Sequence, residues 1–203
     1  MTFTVVPEIL EGRHVRLEPL AEHHIDGLWM AGQMAEDWAY LPRSCFTSRD
    51  DVSDWVQQAF DFREKGIHYS YVLIHPDTGE VMGSTRYLNI RLRDHGLEIG
   101  YTWVARPWQR TAVNTEAKFL LLQHAFESLG AYRVELKTDA RNLRSQKAIE
   151  RIGGVREGVF RRHMVTQGGF VRDSVYYSIT DQEWPAVSER LRGMLDRPPE
   201  GRA

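Results

Sequence analysis

Residues 97–154 read LEIGYTWVARPWQRTAVNTEAKFLLLQHAFESLGAYRVELKTDARNLRSQKAIERIGG. The opening LEIGYTWVA has the β-branched and aromatic content of a strand. After a short polar turn, NTEAKFLLLQHAFESLG is long and apolar enough for a buried helix. YRVELKTD is a second strand, and NLRSQKAIERIGG is a second helix closed by glycines. A strand, helix, strand crossover joins neighbouring parallel strands with the helix across one face. LEIGYTWVA and YRVELKTD are therefore predicted to lie side by side and parallel.

Upstream, HVRLEPL alternates as a first strand and is followed by a predicted helix from Ala21 to Gly32. Ser48 is a predicted N-cap. Val52, Trp55, Val56, Ala59 and Phe60 then recur at spacings of three and four, which marks the buried face of a helix. YSYVLIH and EVMGSTRYLNIRL, separated by a turn at residues 76–79, join LEIGYTWVA in an antiparallel meander. Downstream, GVFRRHMVTQ and FVRDSVYYSIT form a closing hairpin around two glycines. The predicted fold class is α/β, a mixed sheet with helices on both faces. One domain is expected over residues 1–203, with its core at about 13–182 and a disordered tail at 197–203.

The 203 residues are 42% hydrophobic and 27% charged, ordinary for a domain with a full core. A formal net charge of -2 provides no broad basic field, so neither nucleic acid nor an anionic membrane is an expected partner. Cys45 is the single cysteine, so no intrachain disulfide can form, and no clustered His/Cys spacing suggests a metal. No apolar stretch approaches ~18 residues, and a reducing, cytoplasmic location is expected. The chain has no GxSxG elbow and no GxxxxGK[ST] loop, which disfavours a serine hydrolase or a nucleotide triphosphatase.

Several residues have both a chemical and a structural reading. WQRTAVNTEAK lies where a strand ends and a helix begins, so its amides form either an anion site or an ordinary junction. Glu98, inside the apolar LEIGY, is either a general base beside a cleft or an outward-facing residue of the alternating pattern. Asn142, between a strand and a helix, reads as a helix N-cap. Ser145, one turn on, is a hydroxyl donor or is satisfied by a helix carbonyl. Glu116 favours its helix dipole. His124 is expected to pack, and the adjacent His23 and His24 point to different sides of a helix without making a metal pair. One of Tyr176 and Tyr177 faces the cleft while the other packs. Arg86, Tyr87, Arg161, Arg162 and His163 are candidates for an acceptor side.

The order and spacing of EIGY, QRTAVN, TEA, the asparagine-led helix ending in IGG, EGVFR and RDSVYYSI resemble the GNAT N-acetyltransferases, in particular the branch that acetylates ribosomal-protein N-termini. The resemblance spans about Val15 to Thr180. It implies acetyl-CoA as co-substrate, no metal, direct transfer to a small-molecule or peptide amine, and by family habit a homodimer. It places the family's phosphate turn on Gln109, Arg110, Thr111, Ala112, Val113 and Asn114, continuing to Thr115, with Ala112 and Asn114 where the family has small residues. Trp103 and Val104 would flank the pantetheine arm, the Val104 amide would polarise the thioester, and Asn142 would meet the arm. Ile149 stands where most members carry a proton-donating tyrosine, and Ser145 is the replacement donor. With Glu98 as base, this makes an N-acetyltransferase; the alternative is a GNAT-fold module that binds an acyl-CoA or a partner without catalysis.

Overall fold

The computed structural model describes residues 3–196; the tail expected at 197–203 lies outside them. Eight strands form one sheet: β1 (Leu10–Glu11), β2 (Arg16–Pro19), β3 (Tyr69–Ile74), β4 (Val81–Arg91), β5 (Gly96–Val104), β6 (Arg133–Asp139), β7 (Val155–Val165) and β8 (Val171–Thr180). Their spatial order is β1-β2-β3-β4-β5-β6-β8-β7. Every neighbouring pair is antiparallel except β5 and β6. That parallel pair is the predicted one, and α3 (Val113–Gln123), extended by a π-helical turn at His124–Ser128, crosses between its strands.

Helices cover both faces, because inward residues on each side of the sheet need apolar partners. On β3, Tyr71 and Leu73 join a large cluster with α3, α4 (Leu143–Arg151) and α5 (Trp184–Leu195). The alternate residues Val72 and Ile74 join a second cluster with α1 (Ile25–Ala31) and α2 (Arg49–Glu64). Ser48 caps α2, its Oγ accepting from the Asp51 amide at 3.1 Å. Val52, Trp55, Val56 and Ala59 are buried as their spacing demands.

Two elements escape the sequence patterns. β1 is only two residues long. The helix α5 seals the α3 face by burying Trp184, Val187 and Leu191, with the Trp184 ring stacked 5.4 Å from Phe126. Burying such side chains contributes roughly 1.5–3 kcal/mol each.

Glu116 has a larger role than favouring its helix dipole. Its carboxylate accepts the backbone N–H groups of Arg13, His14 and Val15 at 3.0, 2.5 and 2.8 Å, fixing the turn between β1 and β2 to α3. His23 and His24 also differ from expectation, since both rings reach Glu18, with His24 Nε2 3.1 Å and His23 Nε2 3.7 Å from its Oε2. His24 Nδ1 accepts the Ala21 amide at 3.1 Å, so the proton of the neutral ring is on Nε2, where it donates to Glu18. That tautomer leaves His24 no lone pair for a cation.

Candidate active site

β5 and β6 pair only at Gly96–Arg133, Leu97–Val134 and Glu98–Glu135, then separate. Beyond that point β6 stays paired to β8 as far as Asp139–Ser174, while its other edge faces a gap. The separation coincides with a bulge in β5. Tyr101 has a φ of 50°, and the register with β4 shifts between Ser84–Trp103 and Arg86–Gly100. β4 follows the bulge closely because Gly83, at φ 156°, has no Cβ to collide with the Trp103 carbonyl. Two strand edges thus face each other across a cavity of about 530 Å³, which accommodates an extended ligand between them.

The bulge also decides which side chains serve which face. Before it, Leu97 and Ile99 point to the α3 side; after it, Trp103 packs on the α2 side, its ring 4.9 Å from Trp38 and 6.2 Å from Phe46. Trp103 borders the cavity, but its ring belongs to the second core. Thr102 and Val104 turn toward α3 instead, the former touching Lys118 and the latter packing on the first core.

Glu98 sits at the apex of the gap and is 1% exposed, so the outward-facing reading fails. Its Oε2 accepts from Asn89 Nδ2 at 2.7 Å and from Lys137 Nζ at 3.0 Å. A buried carboxylate with side-chain partners at a cavity wall lies within reach of a bound group.

At the other end, the phosphate turn departs from expectation in an informative way. Its left-handed residue is Arg110, with φ 59°, whereas Ala112 has φ -68° and ψ -18° and Asn114 lies within α3. Neither residue needs glycine's freedom, so both replacements fit without backbone strain. The Val113 side chain is buried in the core, and its amide goes to Thr111 Oγ1 at 3.3 Å, while that hydroxyl donates to the Trp108 carbonyl at 2.7 Å. Among the predicted turn residues, Gln109, Arg110, Thr111, Asn114 and Thr115 line the cavity and Ala112 and Val113 do not. Gln109 acts as a brace: its Nε2 donates to Asp37 Oδ1 and the Val104 carbonyl, and its Oε1 accepts from Arg144. Thr115 Oγ1 accepts from Arg151 at 2.8 Å.

Asn142 fulfils its capping reading, Oδ1 accepting the Ser145 amide at 3.0 Å. Asn142, Ser145 and Ile149 all line the cavity from α4. The acceptor-side candidates need correcting. Tyr87 is fully buried, its hydroxyl donating to the Leu121 carbonyl, and none of Arg86, Arg161, Arg162 or His163 lines the cavity. Met164 and Arg172 line it instead, together with Glu36, Asp37 and Tyr40. The β7–β8 hairpin closes over this end, with Gln167 Nε2 donating to the Trp38 carbonyl and Arg172 Nη1 to the Tyr40 carbonyl. Tyr177 packs in the core and Tyr176 is half-buried against His163. Arg86 is buried beneath Tyr101 and Trp55, and burial lowers its pKa to about 10. Beside it, burial and then the charges of Arg86 and Lys137 push His68 down to about 4.

Lys118 carries no chemical signal in the sequence beyond interrupting an apolar helix. It is buried at the cavity wall, donating to Thr102 Oγ1 at 2.6 Å and Thr85 Oγ1 at 3.5 Å.

Residues 14–155 match the family model described as an acetyltransferase (GNAT) domain. YdaF of Bacillus subtilis (strain 168), assigned provisionally to ribosomal N-acetylation, is 32% identical over 72% of this chain and 76% of its own length. The [ribosomal protein uS5]-alanine N-acetyltransferase of Escherichia coli (strain K12) is 24% identical over 61% of this chain and 63% of its own. A crystal structure of a GCN5-related N-acetyltransferase from Brucella melitensis superposes with a TM-score of 0.88 at 31% identity, covering 96% of this chain and 87% of the other. The split parallel pair, the helix that follows it and these similarities together establish that the chain belongs to the GNAT acetyltransferase family.

Proposed function

We propose that the cleft binds acetyl-CoA between β5 and β6 and that the acetyl group passes in one step to a primary amine, with a peptide N-terminal α-amine as acceptor. The observation that carries this reading is the pair of open strand edges with Glu98 at their apex. The chain's residues fit the co-substrate. The first amides of α3, at Asn114 and Thr115, have no partner a turn earlier in the helix, and Arg110 and Arg144 add positive charge at that end for phosphate. The Val104 amide and Asn142 Nδ2 are suited to the amide-rich arm, since Val104's carbonyl and Asn142's Oδ1 are already engaged.

An acceptor amine must lose a proton to complete acyl transfer, and Glu98 receives it directly or through one water. Ser145 offers its hydroxyl to the departing sulfur. A free thiol has a pKa of about 8.5, so a weak donor is sufficient. Direct transfer requires both reactants to be present together, and Cys45 lies outside the residues that line the cavity, so a covalent acyl-enzyme on it is not part of the scheme. The ribosomal acceptor named for the Escherichia coli relative favours a peptide amine, and the single cysteine favours a reducing cytoplasm.

The test is calorimetric titration with acetyl-CoA and CoA on the wild type, Asn114→Ala and Asn142→Ala, followed by mass spectrometry of peptides with free or blocked N-termini. Micromolar binding weakened in both variants, with acetylation confined to free α-amines, is the expected result. No binding of either ligand would end the reading; acetylation of lysine side chains alone would reassign the acceptor.

A further inference from the structure

Lys118 is 7% exposed and its ammonium touches two threonine hydroxyls. Among the described residues no carboxylate lies within ion-pair distance of it, and the carboxylates that line the same cavity, Glu36, Asp37 and Glu98, are each held by other groups. Glu98 is paired with Lys137 and Glu36 and Asp37 lie beside Arg106, and the remaining charged lining residues are cations. Burying an ammonium without a counter-charge is costly, and a packed methionine would fill the same space without that cost. Such a cation is tolerated where an anion arrives to meet it.

The position of Lys118 tells which anion. It lies five residues past Val113, about 7.5 Å along α3 from the phosphate end. α3 runs back against β5, so this places it at Thr102, between the phosphate turn and Glu98 and beside the bulge where the strands part. A ligand that reaches from the turn to Glu98 passes it. The phosphates have α3's terminus and Arg110. The charge that still lacks a partner is the one formed during the reaction.

We propose that Lys118 is a charge-stabilising residue of the acetyl transfer, its ammonium facing the sulfur as the thiolate departs. This rests on the reading that acetyl-CoA occupies the cleft. In the step, the amine nitrogen bonds to the thioester carbonyl carbon, the carbon–sulfur bond breaks, and its electron pair remains on sulfur. The amine's proton goes to Glu98, and Lys118 keeps its own. Burial lowers the Lys118 pKa to about 7, so the free site holds the ammonium weakly and the nearby thiolate strengthens it. Ser145 then serves as a neutral hydrogen-bond donor to a sulfur whose charge is already compensated.

The test compares the wild type with Lys118→Met and Lys118→Arg by three measurements. The first is titration of bound CoA's thiol by ultraviolet difference absorbance of the thiolate. The wild type is expected to hold the thiol below the ~8.5 of a free thiol, and Lys118→Met to return it to that value or above. The second is kinetics: kcat falls by about 10²-fold in Lys118→Met with the acetyl-CoA dissociation constant nearly unchanged, and Lys118→Arg recovers part of the loss. The third is thermal unfolding, where Lys118→Met melts no lower than the wild type.

An unchanged thiol pKa with unchanged kcat would overturn the proposal while leaving the acetyl-CoA reading intact. Weaker CoA binding with normal kcat at saturation would also overturn it, making Lys118 a contact to the arm. A wild type that binds neither acetyl-CoA nor CoA would instead remove the underlying reading, and this proposal with it.

Discussion

Glu116 and Lys118 are two residues apart on α3 and both are buried, yet they do opposite things. Glu116 meets three backbone amides of the turn before β2, which satisfy both carboxylate oxygens. Lys118 faces a cavity wall with two hydroxyls for company. A buried charge whose partners are complete holds structure together, while one whose partners are incomplete beside a cavity awaits a ligand. One helix thus fastens the N-terminal turn on one side and serves the cleft on the other.

The largest expected effect breaks the structural half of this comparison. Glu116→Ala strands three amides and removes the link between the turn and α3, so a loss of about 3–5 kcal/mol is expected in denaturant unfolding. A loss below about 1 kcal/mol would show that water replaces the carboxylate and that the turn is held by β1–β2 pairing. Glu98→Gln addresses the functional half. The amide retains an oxygen for Asn89 and Lys137 but cannot take a proton, so kcat is expected to fall about 10²–10³-fold with little change in Tm. Full activity in Glu98→Gln would move the base elsewhere.

Lys118 connects the two halves through pH. Its folded pKa is lowered to about 7 by burial, against about 10.4 in an unfolded chain. Between these values the unfolded state binds the proton more readily, so the native state loses stability as pH falls from about 10 to 7, and the penalty is fully present below 7. Lys118→Met has no such group. Its advantage in Tm over the wild type is expected to be a few degrees at pH 7 and to shrink toward pH 9–10. A difference independent of pH would mean that the ammonium is not desolvated, which undercuts the contrast with Glu116.

The sequence made the scaffold legible because its signals are local. Alternation gave the strands, helical spacing placed Val52, Trp55, Val56 and Ala59 inside, and the crossover rule paired β5 with β6. The gap itself has no local signal, since nothing in LEIGYTWVA announces a bulge at Tyr101. That bulge sends the Trp103 ring into the α2 core and turns Thr102 toward Lys118. Glu116 looked like a dipole partner because its amides lie 101–103 residues away in the chain. Lys118 drew no reading because its burial depends on the cavity wall built by β4 and β5. α5 was missed although Trp184, Val187 and Leu191 recur at the helical spacings of three and four that mark its buried face.

The smallest expected effect sharpens the comparison most. If Lys118 carries the charge, Ser145 contributes one neutral hydrogen bond, and Ser145→Ala should reduce kcat by about tenfold or less, in line with the roughly 0.5–1.5 kcal/mol of such a bond. If Ser145 were instead the essential donor, the loss would reach 10²–10³-fold and Lys118→Met would matter little. The double variant separates the cases. Two groups acting on the same sulfur give a combined loss larger than the product of the single losses, because without Lys118 the hydroxyl faces an uncompensated charge and its hydrogen bond is worth more. Independent effects that multiply would place Lys118 and Ser145 at different atoms. The asparagine cap is untouched in Ser145→Ala, because Ser145 is held through its backbone amide to Asn142 and not through its hydroxyl. A rate change in Ser145→Ala therefore reports on the hydroxyl and not on the start of α4.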